Sequence, residues 1–344
     1  MKCASGRHSH TDLVRVEEFT LRLSLSVAMC TFNGEQFLNS QLASIASQSR
    51  LPDELVVCDD GSSDRTAGIV SEFSRSATFP TRLVVNDRNL GSTKNFEKAI
   101  SLCQGAIVSL ADQDDIWYPQ KLARIEQSFL QSDEVVAVFS DADLIDDHSQ
   151  PLGSHLWKAF SFKPAEQRQF KNGDGLRVLV KHPVVTGATM AFRRDLFDIV
   201  APIPADDIHD RWISFLLAAR GRFELISDPL MQYRRHQGQQ EGLPPLVPRE
   251  LMTQARSRGA GYHFHEIGVY RRLCEKLGTH STDFPYAEHA QKEIESKVAH
   301  LALRAQLPRA RIARVPAVFR EVFNGGYWRY SAGWNSVARD LLFH

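Results

Sequence analysis

Between Ala111 and Trp117 the chain reads Ala-Asp-Gln-Asp-Asp-Ile-Trp. Three carboxylates, Asp112, Asp114 and Asp115, stand directly after an apolar run, Ala106-Ile107-Val108-Ser109-Leu110. Such a run reads as a buried strand. Like charges crowded at a strand's end repel, so the cluster makes sense if a cation sits among them. Oxygen-rich ligands suit a hard divalent ion, Mg2+ or Mn2+. Taken alone, the stretch equally reads as a solvated acidic turn in which Asp115 caps a following helix.

The elements that must position this cluster run from residue 23. Leu23 to Thr31 reads as a strand, and Gln36 to Gln48 has helical spacing at Phe37, Leu38, Leu42 and Ile45. Glu54 to Cys58 is a second strand, followed by a helix around Ile69, Val70 and Phe73. Arg82 to Val85 is a third strand and Thr93 to Cys103 a third helix, leading into the fourth strand. This alternation has the spacing of parallel βαβ units. Ligands then sit beyond the carboxyl ends of the strands. Every polar cluster falls at such an end: Thr31-Phe32-Asn33-Gly34, Asp59-Asp60-Gly61-Ser62, Asn89-Leu90-Gly91 and Asp112-Gln113-Asp114. One cluster is turn chemistry; four on one rim point to a nucleotide pocket. The first loop lacks G-x-G-x-x-G, and no G-x-x-x-x-G-K phosphate loop is present, so a metal rather than a glycine nest is left to hold a diphosphate.

Further on, Tyr118 to Leu130 reads as a helix. Val135 to Phe139 reads as a strand ending in a turn at Ser140-Asp141-Ala142-Asp143. Residues 148 to 175 look loop-like, with Pro151, Gly153, Pro164, Gly173 and Gly175. Val184 to Phe192 is apolar around Thr186-Gly187-Ala188-Thr189, and Asp207 to Ala219 is helical. Phe223 to Ile226 and Leu230 to Tyr233 read as two strands, and helical spacing dominates from Pro248.

Composition sets outer bounds. The 344 residues are 43% hydrophobic and 24% charged with a formal net charge of zero, so no global field draws the chain to nucleic acid. No apolar run is long enough to cross a membrane, and no secretory signal pattern opens the chain. Residues 1–22, with isolated His8 and His10, read as a flexible leader. Five scattered cysteines, Cys3, Cys30, Cys58, Cys103 and Cys274, without a CxxC pair, favour a reducing, cytoplasmic setting.

These segments in this order resemble the family 2 glycosyltransferases with a GT-A fold, and within them the rhamnosyltransferase-like subgroup that builds O-antigens and other bacterial surface polysaccharides. The resemblance covers residues 23 to about 240. It rests on Cys30-Thr31-Phe32-Asn33-Gly34, Val57-Cys58-Asp59-Asp60-Gly61-Ser62-Ser63-Asp64, Arg88-Asn89-Leu90-Gly91 and the stretch from Ala111 to Trp117. Thr186-Gly187-Ala188, His209-Asp210-Arg211-Trp212 and Tyr233-Arg234-Arg235-His236 complete it. Gly326-Tyr327-Trp328-Arg329-Tyr330-Ser331-Ala332-Gly333 is similar to the subgroup's tail. The resemblance implies an α/β GT-A (Rossmann-like) mixed sheet over 23–245, with a mainly helical C-terminal region over 246–344.

It also implies roles. The enzyme would move a sugar, L-rhamnose from dTDP-L-rhamnose as the first choice and another sugar from a UDP-sugar as the second, onto a hydroxyl of a lipid-linked saccharide, with inversion. Asp114 would bind the metal most directly, Asp112 the metal's water or the ribose, and His236 the metal from the far side. Asp60 would accept the N3–H of a pyrimidine base. Thr31, Asn33, Asn89, Gly91 and Gly187 would line the donor site. Asp210 would be the catalytic base, with Asp206 or Asp207 next in line. An ordinary Asp pKa near 3.9 suits that task poorly, so Asp210 is expected to be partly buried against Trp212. Trp117, Thr186, Trp212, Arg234 and Arg235 would touch acceptor or diphosphate. His209 stands where the family more often has Glu. Asp141 and Asp143 read as turn residues.

Residues 301–344 carry seven arginines, Arg304, Arg309, Arg311, Arg314, Arg320, Arg329 and Arg339, interleaved with Ile312, Val315, Val318, Phe319, Val322 and Phe323. They suit a basic amphipathic surface at the inner face of a membrane, or helices packed back on the catalytic domain. Two other classes compete. A nucleotidyltransferase would want a Gly-rich, basic signature near the N-terminus, which is absent. A non-catalytic sugar-nucleotide-binding homologue would not need Asp60, Asp112, Asp114 and Asp210 together.

Overall fold

The computed structural model describes residues 22–236 and 260–343. The predicted leader up to residue 21, with Cys3, and the predicted boundary between 245 and 246 lie outside the described residues. The first half alternates as expected: β1 (Leu25–Thr31), α1 (Leu38–Ala46), β2 (Glu54–Asp59), α2 (Thr66–Ser76), β3 (Thr81–Val85), α3 (Ser92–Leu102) and β4 (Ile107–Ala111). Every residue of β1 and β4 is buried, as befits strands covered on both faces. Along β1, Ala28 and Cys30 join one core cluster while Leu25, Val27 and Met29 join the other. That is the period of two of a strand separating two helical layers.

After β4 come β5 (Ile116–Trp117), α4 (Lys121–Gln131), β6 (Val135–Ile145), β7 (Pro151–His155), α5 (Leu156–Ala159), α6 (Pro164–Lys171) and α7 (Gly175–Lys181). Then follow β8 (Met190–Arg193), α8 (Phe197–Val200), α9 (His209–Arg220) and β9 (Arg222–Arg234). Among the described residues the strands form one nine-stranded sheet, ordered β3-β2-β1-β4-β8-β6-β9-β5, with β7 paired to β6. β1 is parallel to β2 and β4, whereas β8 is antiparallel to both β4 and β6. The sheet is therefore mixed. Register sets the site: Thr31 lies opposite Asp59 and Met29 opposite Ala111, so the first, second and fourth strands end on one rim.

Three expectations are corrected. β6 does not stop at Phe139. It runs to Ile145, so Asp141 and Asp143 lie within a strand and are not turn residues. Asp141 Oδ1 accepts Ala142 N–H at 2.8 Å and Trp157 N–H at 2.9 Å. Asp143 accepts Tyr118 O–H at 2.7 Å and lies 3.0 Å from His155 Nδ1. The span 148–175 is not loop. It folds as β7, α5 and α6, because Trp157, Phe162 and Phe170 are drawn into an aromatic cluster with Phe139 and Phe223. The two strands read at 223–226 and 230–233 are one, β9. The Asp228-Pro229 break is absorbed where its register with β6 slips, Pro229 standing opposite Asp141.

The described C-terminal part is helical: α10 (Ala260–Thr279), α11 (Ala287–Ala305), α12 (Arg311–Phe323), α13 (Gly326–Tyr330) and α14 (Trp334–Leu342). Ile267, Tyr270, Leu273, Ile294 and Leu301 belong to the same core cluster as Phe96, Phe192 and Phe215. α10 and α11 thus share the core of one face of the sheet, whereas Val318, Tyr327 and Val337 of the last three helices form a separate cluster with Leu307. Two of the seven arginines are internal. Arg304 forks onto Asp340 at 2.6 and 2.8 Å, and Arg314 donates to the carbonyls of Pro308, Arg309 and Asp340. Arg304 also holds Asp340, despite its burial, below the usual carboxylate range. No helix among the described residues is long and apolar enough to cross a membrane.

Candidate active site

A cavity of about 300 Å³ opens at the carboxyl ends of β1, β2 and β4. Thr31, Asp60, Asp112, Asp114, Asp210 and His236 are among the residues that line it. Three of the four rim clusters, at Thr31, Asp60 and Asp112 to Asp114, therefore meet at one place and are joined there by Asp210 and His236, whereas Asn89-Leu90-Gly91 does not reach the wall.

At one end the turn after β2 is built to aim Asp60. Asp59 is consumed within the turn: it accepts Thr31 Oγ1 at 2.8 Å, Ser62 Oγ at 2.6 Å and Ser62 N at 2.9 Å. Asp60 Oδ1 accepts from Leu90 N and Asn86 Nδ2, both at 2.8 Å, and Oδ2 accepts from Gly91 N at 2.9 Å. Asn95 locks Asn86 from behind, with Oδ1 accepting at 2.8 Å and Nδ2 reaching Cys58 O at 2.8 Å. Gly91 takes φ +79°, a conformation glycine adopts without a Cβ penalty. Oδ1 thus has both acceptor sites filled, and Oδ2 keeps one for a further donor. Asn89 caps this turn, its Oδ1 accepting Gly91 N at 3.1 Å. Asn33 is exposed, holding Ser62 and Ser63 of the neighbouring turn. Neither Asn33 nor Asn89 lines the cavity, whereas Thr31 does.

In the middle lies the acidic loop. Gln113 clamps it to the loop after β1: its Oε1 accepts Phe32 N at 2.8 Å and its Nε2 donates to Phe32 O at 3.1 Å. A Cβ at Gly34 would stand 2.2 Å from Gln113 Oε1, so that glycine is required by the clamp. Arg234, at the end of β9, fixes the other side. Its Nε donates to Asp114 O at 2.7 Å and its N–H to Asp115 Oδ1 at 3.0 Å. Its Nη1 reaches Asp146 O and Ser149 Oγ, both at 2.9 Å. Arg234 is thus a buried strut, and neither it nor the half-buried Arg235 lines the cavity. Asp115 is also buried and behind the wall, while Asp112 and Asp114 reach it.

The electrostatics of this loop are strained. Burial, and then the charges of Asp114 and Asp210, push Asp112 well above the usual carboxylate range. Burial, with Asp114 and Asp112, does the same to Asp115. Beneath them lies Lys121, fully buried, donating to Ala188 O at 2.6 Å and standing 4.2 Å from the Trp117 ring centre. Burial pulls Lys121 far down, and Asp115 and Asp112 pull it back. Sequence reading missed Lys121. Its only signal is a lysine four residues after Trp117, at a position that reads as a solvated helix start.

His236 Nε2 lies 2.8 Å from Asp114 Oδ2, both on the cavity wall. Among the described residues no three His, Cys, Asp or Glu side chains converge as a ready metal cage. Mg2+ and Mn2+ at phosphate sites need only one or two protein ligands, with phosphate oxygens and waters completing the shell. Asp114 and His236, with Asp112 beside them, fit that requirement. Asp115 Oδ2 is buried behind them without a hydrogen-bond partner.

Opposite this loop is Asp210, in the first turn of α9. Its Oδ2 accepts Gly187 N at 3.0 Å, and Thr186 and Gly187 line the cavity with it. Its Oδ1 makes no hydrogen bond among the described residues. The neighbouring His209 is buried, stacks on Phe96 at 4.1 Å, and has no partner for either ring nitrogen. Burial holds its imidazole below the ordinary value. A Cβ at residue 187 would come within 2.7 Å of His209 Nε2, so glycine permits this close approach. The expected packing of Asp210 against Trp212 is not found. Two residues apart on a helix point to different sides, and Trp212 turns into the core, where its Nε1 donates to Val200 O at 2.9 Å. Trp117 is likewise core, not cavity wall. Asp207 is engaged by Arg211 at 2.6 Å and Asp206 by Arg272 at 2.9 Å, which leaves Asp210 the available carboxylate on this side.

The family model described as "Glycosyl transferase family 2" matches residues 26–200, just over half of the 344-residue chain. An uncharacterized glycosyltransferase of Nostoc sp. is 25% identical over 225 residues, 62% of this chain and 65% of that protein. The dTDP-rhamnosyl transferase RfbG of Shigella flexneri is 27% identical over 227 residues, 62% of this chain and 73% of that protein. The UDP-Glc:alpha-D-GlcNAc-diphosphoundecaprenol beta-1,3-glucosyltransferase WfgD of Escherichia coli is 29% identical over 125 residues, 36% of this chain. The chain spans less than two thirds of the Nostoc and E. coli proteins, 65% and 48%. Among solved structures, TarS of S. aureus superposes with TM-score 0.54 at 17% identity, over 83% of this chain and 44% of that one. TarS solved with UDP-GlcNAc gives 0.51 at 18% identity, over 88% and 92%. These likenesses carry the GT-A fold. The family match reaches from β1 through α8, across the strands whose ends build the cavity, and the chain belongs to the family 2 glycosyltransferases.

Proposed function

We propose that this chain transfers a sugar, with inversion, from a nucleotide-sugar to a hydroxyl of a growing, lipid-linked surface polysaccharide at the inner face of the membrane. L-rhamnose from dTDP-L-rhamnose is the first choice of donor. The reading rests on one observation: the loop of Asp112 and Asp114 and the carboxylate of Asp210 face a single cavity, close enough for Asp210 to raise the pKa of Asp112.

The roles follow from chemistry. Asp60 is held rigidly enough to select a base that offers an N–H donor, which uracil and thymine both do. Asp114 and His236, with Asp112, would hold a Mg2+ or Mn2+ ion, which would neutralise the charge developing on the departing diphosphate. Asp210 accepts the proton of the acceptor hydroxyl. The hydroxyl oxygen forms its bond to the sugar's anomeric carbon as the bond to the phosphate oxygen breaks, and the nucleoside diphosphate leaves. One displacement from the opposite face inverts the centre. Gly187 N–H fixes Asp210 Oδ2, leaving Oδ1 for that proton.

Phe160, Val185 and Ile208 give the cavity an apolar side, which suits the methyl group of a 6-deoxy sugar. The name of RfbG points the same way. The name of WfgD favours the second reading, transfer from a UDP-sugar. A thermal-shift panel of nucleotide-sugars with Mn2+ or Mg2+ separates them. A larger shift for dTDP-rhamnose than for any UDP-sugar supports the first reading. The reverse order overturns it, and no shift with any donor would favour a non-catalytic role.

A further inference from the structure

Helix α12 turns several large apolar side chains outward while it packs through Val318, Ala317 and Val322. Arg314 and Val318 are its buried residues, whereas Ile312 is 87% exposed, Phe323 86%, Phe319 48% and Val315 40%. At about 100° per residue these four fall within an arc of about 80° on one side of the helix. Arg320 follows at one edge of that stripe and Arg311 at the other. Both are exposed and neither pairs with a carboxylate among the described residues. The acids nearby are spent internally: Glu321 lies 2.6 Å from His300 Nδ1, and Asp340 holds Arg304. From Gln306 to Arg320 there is no Asp or Glu at all, but four arginines. Helix α14, packed beside α12, adds exposed Trp334 and Leu342.

We propose that α12 is a membrane-surface anchor, lying in the plane of an anionic lipid bilayer with Ile312, Val315, Phe319 and Phe323 among the acyl chains. Arg311 and Arg320 then reach the lipid phosphates from either flank. A stripe of large apolar side chains bordered by cations is the pattern of an interfacial helix. The alternative cover is a second copy of the chain. A two-fold contact through this stripe would bring the same arginines together on both sides, with no acid on the patch to offset them. An anionic surface meets them with opposite charge. The inference concerns where the enzyme works and does not depend on its donor.

The test is co-sedimentation of the full chain with vesicles of phosphatidylcholine alone or of phosphatidylcholine with phosphatidylglycerol. The protein should pellet about tenfold more with the anionic vesicles, and less as salt rises. Ile312→Glu with Phe323→Glu, and separately Arg311→Glu with Arg320→Glu, should each abolish that binding. Their exposure predicts unchanged melting temperatures, which checks that loss is not misfolding. Equal binding by the variants, or no binding by the parent chain, overturns the proposal. So does a dimer in light scattering that the Ile312→Glu, Phe323→Glu variant loses while neither protein pellets. No nucleotide or sugar enters the assay, so its failure and failure of the transferase reading are separate results.

Discussion

Replacing Gly187 with alanine is a small change with a specific consequence. The new Cβ would stand 2.7 Å from His209 Nε2 and 3.6 Å from Asp210 Cβ. Ordinary contact begins at 3.4 Å, so about 0.7 Å must be found. His209 cannot readily retreat: it is buried and stacked on Phe96 at 4.1 Å. The turn at Gly187–Thr189 must move instead, carrying away the N–H that holds Asp210 Oδ2 at 3.0 Å. Overpacking of this size costs about 1–3 kcal/mol of stability. A misplacement near 1 Å at a reacting group costs about a hundredfold in rate, so a loss of about ten- to a hundredfold in kcat is expected. The control is Gly325→Ala. It meets nothing within 4 Å but sits at φ +75°, where a Cβ costs about 1–2 kcal/mol. Urea unfolding of the two variants should give comparable losses of stability, while steady-state turnover with the best-bound donor falls only in Gly187→Ala. Parent-like turnover in Gly187→Ala, or equal turnover losses in both, would refute the reasoning.

Lys121→Met removes the buried cation beneath Asp112 and Asp115. Breaking buried charge compensation costs about 3–5 kcal/mol, and Mn2+ with a nucleoside diphosphate should restore part of it in a thermal melt; a loss under about 1 kcal/mol would contradict the assigned role. Asp340→Ala strips Arg304 of its fork and Tyr327 of its acceptor, and should destabilise by a similar amount, read by urea unfolding, with kcat unchanged. Burial, first in each case, holds His209 and His300 below the ordinary imidazole value. The unfolded chain then takes up protons near pH 6.5 that the folded chain refuses, so this stability is complete above about 6.5 and is lost as pH falls through the folded values, by up to about 1.4 kcal/mol per pH unit for each histidine. Because the raised Asp112 and Asp115 contribute with the opposite sign, urea midpoints at pH 7.5 and 5.5 are compared between the parent chain and His300→Gln. The parent should lose more stability as pH falls, and parallel losses would exclude that sign.

The first four strands are legible because their burial is local: two-sided burial makes continuous apolar runs, and the turns carry Asp, Asn and Gly. Errors begin where long-range contact decides. Ser140 to Asp143 reads as a turn because its polarity is visible and its partners, Trp157, His155 and Tyr118, are not. Residues 148–175 read as loop because prolines and glycines are conspicuous, while the burial of Phe162 and Phe170 depends on Phe139 and Phe223 across the core. The same limit applies within the site. Which carboxylates face the cavity follows from strand register, which the sequence implies. Side-chain direction at Trp117, Trp212 and Arg234 follows from packing against distant elements, which it does not. Lys121 is the clearest case: only the fold reveals that a lysine at a helix start is fully buried beneath two aspartates.

The central claim is a division of labour, with Asp114 on the diphosphate side and Asp210 on the proton side of one cavity. Calorimetric binding of a nucleoside diphosphate with Mn2+, paired with a transfer assay, tests it in two variants. The account predicts that Asp114→Ala loses cation-dependent binding by about tenfold or more, whereas Asp210→Asn binds like the parent chain but transfers about a hundredfold more slowly or worse. Parent-like binding by Asp114→Ala, or parent-like transfer by Asp210→Asn, would contradict it.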